Sequence, residues 1–112
     1  MTLWFLLLFA GVALLMMALA VPLMRGRVKP NSLYGLRTER TLRDEDAWYR
    51  GNAYGGRLFF RTGLVALIAV FGLYLVPSLR GNFVAYNIAC GTVILGGILF
   101  STALAVRFVQ SL

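Results

Sequence analysis

Residues 2–24 read TLWFLLLFAGVALLMMALAVPLM, and Arg25, Arg27 and Lys29 follow at once. No side chain in that run is charged. At a rise of about 1.5 Å per residue it extends roughly 34 Å, against a bilayer hydrocarbon core of about 30 Å. Two further uncharged stretches follow, 62–79 and 81–106. Of the 112 residues 60% are hydrophobic, more apolar surface than a soluble domain of this size can hide in its own core. The expected fold is an all-α integral membrane protein, a single three-helix membrane domain over residues 1–112. Its transmembrane helices are expected at about 2–24, 60–79 and 82–107. Ala18-Leu19-Ala20 has the small-x-small form of a cleavage site. The positive charges follow the apolar run instead of preceding it, so the run reads as an uncleaved anchor.

The formal net charge is +7, and its placement carries the information. Arg25, Arg27, Lys29, Arg37, Arg40, Arg43, Arg50, Arg57 and Arg61 all lie in the loop 25–61, whereas the link between the second and third stretches carries only Arg80. Short loops rich in Lys and Arg stay on the cytoplasmic side. The basic loop 25–61 and the C-terminus are therefore expected in the cytoplasm and the N-terminus outside, in the plasma membrane. Topology explains the basicity better than nucleic-acid binding, so no nucleic-acid partner is expected and membrane lipids are.

There is no histidine, and Cys90 is the only cysteine. The usual zinc, haem and non-haem iron ligand sets cannot be assembled from such a chain. Glu39, Asp44, Glu45 and Asp46 form the one acidic cluster. Adjacent residues on a helix point in different directions, so the cluster reads as helix capping and not as a cation site. No metal site, cofactor or catalytic residue is expected, because no activated nucleophile and no acid–base pair beside a substrate position is apparent. No Asp, Glu, Lys, Arg or His falls within the three uncharged stretches, which argues against a proton pump or ion-coupled carrier.

The loop divides in two. Pro30, Asn31 and Gly35 are turn formers. Thr41, with Asp44 three residues on, reads as the N-cap of a short interfacial helix at about 42–56. Asp46 and Arg50 are spaced for an ion pair on that helix. Gly51, Gly55 and Gly56 mark either a break or a close helix contact. Trp48, Tyr49, Tyr54 and Phe59 stand beside arginines and suit the headgroup layer. In the third span Gly97, Ser101 and Ala105 recur every four residues, the small-xxx-small pattern of close helix packing. Gly11 and Ala18 give a looser version in the first span. Either packing within one chain or a homo-oligomer would use these positions.

The most distinctive stretch is Pro30-Asn31-Ser32-Leu33-Tyr34-Gly35-Leu36-Arg37-Thr38, followed by Thr41-Leu42, Trp48, Asn52 and Gly56-Arg57. This resembles the shared motif of the SdpI-like membrane proteins over roughly residues 29–60 and the helices on both sides. The namesake of that family protects a cell from its own secreted killing peptide and sequesters a transcriptional repressor at the membrane; it has further membrane helices before the motif, where one is present here. The resemblance implies a non-enzymatic membrane protein of the immunity or signalling type. The implied partners are an antimicrobial or toxin peptide and a cytoplasmic regulator. An accessory subunit of a larger membrane complex, or a small oligomeric channel or transporter, are the rival readings. The motif residues Asn31, Tyr34, Gly35, Arg37, Thr38, Thr41, Trp48 and Asn52 form the candidate site for a headgroup or partner. Arg37 is the residue singled out, because a guanidinium fixed near a membrane surface can hold a phosphate or carboxylate bidentately. The alternative is an internal pair with Glu39, Asp44 or Asp46 that holds the loop together. Asn31 and Asn52 are expected to lock the loop by hydrogen bonds.

Overall fold

A computed structural model describes residues 2–31 and 34–112. Ser32 and Leu33 of the motif lie outside the described residues. Among the described residues five helices follow in order: α1 (Thr2–Met24), α2 (Glu39–Arg43), α3 (Glu45–Tyr74), α4 (Pro77–Arg80) and α5 (Phe83–Gln110). Helices α1, α3 and α5 are each long and apolar enough to cross a membrane. The protein is an all-α, multi-pass membrane protein, as the uncharged runs predict.

The boundaries within the middle of the chain differ from the expectation. The interfacial helix and the second span are one unbroken helix of 30 residues, α3. Gly51, Gly55 and Gly56 do not break it, because they stand where neighbouring helices approach and packing offsets their poor helix propensity. The second span also ends earlier than residue 79, at Tyr74. Pro77 cannot continue a helix from within and instead opens the separate short turn of α4.

Helix α3 is central, with α1 and α5 packed against it and touching each other little. The α1 seam is built from small residues. Ala13 and Ala20 are fully buried, and they meet α3 at Gly63 and Gly56. A Cβ added to Gly63 would lie 2.9 Å from the Ala13 carbonyl oxygen, and one on Gly56 would lie 3.0 Å from that of Ala20. The looser Gly11 and Ala18 pattern does not serve this seam: Gly11 has open space beside it and Ala18 is exposed. They fall on the other side of α1 from Ala10, Ala13 and Ala20.

On the other flank the Gly97, Ser101 and Ala105 row of α5 faces α3. A Cβ on Gly97 would come within 2.6 Å of Thr62 Cγ2, and one on Gly55 within 3.4 Å of Ala105 Cβ. The small-residue pattern is thus used within the chain. Polar ties reinforce the packing where no water competes. Thr62 and Ser101 share a hydroxyl hydrogen bond of 2.5 Å between α3 and α5. The Tyr86 hydroxyl donates to the Val70 carbonyl at 2.8 Å, and Thr2 Oγ1 donates to the Arg80 carbonyl at 2.7 Å.

Candidate functional site

The motif lies at the basic end of the bundle, in the loop between α1 and α3. Gly26 starts it. With φ of 66° it adopts a left-handed conformation, its N–H donates to the Leu23 carbonyl at 3.3 Å, and Arg27 N–H donates to the Pro22 carbonyl at 3.0 Å. This is a Schellman ending, which closes α1 and turns the chain outward. Asn31 then accepts from the Tyr34 N–H at 2.7 Å and donates to the Lys29 carbonyl at 2.8 Å, a local bend of the kind asparagine forms well.

The loop next folds back onto the helices. The Tyr34 hydroxyl donates to the Leu19 carbonyl of α1, and burial pushes its pKa above the ordinary tyrosine value. Gly35 has φ of 106°. A Cβ there would stand 2.8 Å from Asn52 Oδ1 and 3.4 Å from Trp48 Cη2. Asn52, on α3 and only 2% exposed, grips the neighbouring Leu36 from both sides of its peptide. Its Oδ1 accepts from Leu36 N–H at 2.5 Å, and its Nδ2 donates to the Leu36 carbonyl at 3.3 Å and to the Trp48 carbonyl at 2.9 Å.

Trp48 is fully buried, and its indole N–H donates to the Val28 carbonyl at 2.9 Å. It therefore does not occupy the headgroup layer, as its arginine neighbours had implied; the loop covers it. Tyr54, another of the aromatics near the start of α3, stacks on Phe108 of α5 with ring centroids 4.3 Å apart.

In place of one helix start at Thr41 there are two, about a turn to either side of it: Thr38 opens the short helix α2 and Asp44 opens α3. Thr38, in extended backbone, is the N-cap of α2, accepting from Thr41 N–H at 3.2 Å. Thr41 takes the reciprocal place in the capping box, accepting from Thr38 N–H at 2.8 Å. Its hydroxyl also donates toward the Leu36 carbonyl at 3.0 Å, and its side chain is buried against Gly51. Asp44 caps the following helix, α3, accepting from Asp46 N–H at 3.0 Å. Its extended backbone separates the two helices and frees its carboxylate for that role.

Seven of the eight motif residues thus hold the loop to itself or to the bundle. Arg37 is the exception. It is exposed and has no hydrogen-bond or ion-pair partner among the described residues. The acids that were candidates to pair with it are engaged elsewhere. Glu39 pairs with Arg43, Asp46 pairs with Arg50 at 3.3 Å as its spacing predicts, and Asp44 caps α3.

Arg37 stands at a cavity of about 360 Å³ between α1, α3, α5 and the loop. Met16, Leu19 and Leu23 supply the α1 wall; Asn52, Gly55, Gly56 and Phe59 the α3 floor; and Ser101, Thr102 and Ala105 the α5 wall. Tyr34, Gly35 and Leu36 complete the loop side. Apart from Asn52, sequence reasoning did not assign the helical part of this lining to the candidate site. An apolar residue in a span has the same appearance whether it faces lipid or a cleft, and only the separation of α1 from α5 tells them apart. Among the described residues no group of three His, Cys, Asp or Glu side chains is placed to hold a metal ion.

Searches of curated proteins and of solved structures each found no match. A family model does match, over residues 27–109, which takes in the loop, α3 and nearly all of α5. On that match the chain belongs to the SdpI/YfhL protein family.

Proposed function

We propose that this protein is a non-enzymatic membrane protein of the immunity or signalling type, which protects against or senses a membrane-active peptide. The observation that carries the reading is the family match over residues 27–109, because it includes the whole motif loop. The geometry is compatible with a binding role. The described part of the loop is tied by hydrogen bonds to α1 and α3, and Arg37, which has no partner among the described residues, is presented at a cleft. In this reading the basic end lies at the cytoplasmic face of the plasma membrane, where a surplus of Lys and Arg is retained. The N-terminus is then outside and the C-terminus inside. A peptide acting from within the bilayer would meet the outer faces of α1 and α5, and a cytoplasmic regulator would meet the loop.

Deleting the gene and exposing cells to a panel of membrane-active peptides tests the proposal. The expected result is a several-fold fall in the inhibitory concentration of at least one peptide, restored when the chain is supplied again. Unchanged sensitivity across the panel would overturn it.

A further inference from the structure

We infer that the cleft between α1 and α5 seats one acyl chain of an anionic phospholipid, with the headgroup phosphate held by Arg37. This goes beyond the peptide reading and does not depend on it.

Three observations carry the inference. First, the cleft has the layout of a head and a tail: among the described residues Arg37 is the only charged one lining it, and the walls below are mainly apolar. Met16 lies eight residues before the end of α1, so the wall reaches roughly 12 Å below that end. That is the span of depth between a phosphate and the upper part of its acyl chain. Second, the cleft opens sideways to lipid. Leu19 on one wall and Thr102 on the other are both exposed, and α1 and α5 touch little. An apolar cleft facing hydrocarbon has no reason to hold water. Third, Arg37 is pre-positioned. The residue before it is gripped by Asn52 and the residue after it is the cap of α2. A bound phosphate would therefore order the Arg37 side chain but little of the backbone that carries it.

A peptide is the less suitable occupant of this cleft. Its backbone N–H and C=O groups would need partners in hydrocarbon. The Asn52 amide and the Ser101 hydroxyl are already committed to Leu36, Trp48 and Thr62. A saturated chain makes no such demand.

The test is native mass spectrometry of the full chain in a neutral detergent, titrated with phosphatidylglycerol and with phosphatidylcholine of identical tails. One phosphatidylglycerol is expected to be retained about tenfold more tightly than phosphatidylcholine, because the choline cation of the latter neutralises the phosphate and competes with Arg37 for it. Arg37→Gln is expected to abolish that preference with helix content unchanged. Thr102→Trp and, independently, Leu19→Trp fill the opening and are expected to weaken both lipids. Arg57→Gln removes an exposed charge that does not line the cleft and is expected to leave the preference intact. Three results would overturn the inference: a preference that survives Arg37→Gln, a preference lost equally in Arg57→Gln, or retention insensitive to both tryptophan variants. Purified protein that carries a peptide in place of lipid would overturn it as well.

Discussion

Replacing Trp48 with alanine is expected to lower stability by about 3–5 kcal/mol, the range for removing a large side chain from a buried site. The indole is fully buried beneath the motif loop and makes a hydrogen bond to the Val28 carbonyl. Alanine removes the packing and the hydrogen bond together. Trp48→Phe keeps most of the packing and removes only the donor, so it is expected to cost about 1–3 kcal/mol, the penalty for leaving a carbonyl without its partner. Unfolding followed by circular dichroism in mixed micelles should therefore rank the parent first, Trp48→Phe second and Trp48→Ala last. If all three unfold alike, the side chain lies in the headgroup layer and not under the loop.

Gly63→Val is the second large effect. The position is one where α1 packs closely on α3. A Cβ there would lie 2.7 Å from Met17 Cγ and 2.9 Å from the Ala13 carbonyl oxygen. Met17 can move, but the Ala13 backbone cannot move without shifting α1. Overpacking of this kind costs about 1–3 kcal/mol in well-packed interiors, and a β-branched side chain adds further crowding against the helix wall. Gly72, on the same helix, has nothing within 4 Å of an added Cβ. Gly72→Ala is therefore expected to be neutral or to gain up to about 1 kcal/mol from helix propensity. Gly63→Ala, the matched substitution, differs from Gly72→Ala in what stands beside the glycine, so the same micelle titration separates the seam from the lipid-facing surface. Equal effects at the two positions would mean that α1 does not pack on α3 as described.

The spans were legible in the sequence because an uncharged run of sufficient length permits one reading in lipid. The continuity of α3 was not. Gly51, Gly55 and Gly56 argue locally for a break, and the contacts that offset them come from Val109, Ala105, Ala20 and Met24, all distant in sequence. The cap assignment missed by one turn for a related reason. Thr38 and Thr41 both satisfy a capping pattern, and the choice between them is made by Asn52 holding Leu36 and by Gly51 leaving room for the Thr41 side chain. The pairing of Arg37 was open in the sequence because three candidate acids, Glu39, Asp44 and Asp46, lie nearby. Two of them are taken by arginines four residues further along the same helix, and Asp44 is taken by a helix start. The Asn52 lock was legible in kind, as a loop-fixing hydrogen bond, although its partner was not.

The central claim is that the motif loop is a fixed cap on the bundle, with the Leu36 peptide clamped by Asn52. Amide hydrogen exchange, resolved at Leu36 in the full chain in lipid nanodiscs, tests it most directly. Exchange at a single amide reports how readily its hydrogen bond opens. The account predicts that Leu36 exchanges as slowly as amides within α3, far more slowly than Lys29, and that Asn52→Leu raises its rate to that of Lys29. Rapid exchange at Leu36 in the parent protein, unchanged by Asn52→Leu, would contradict it.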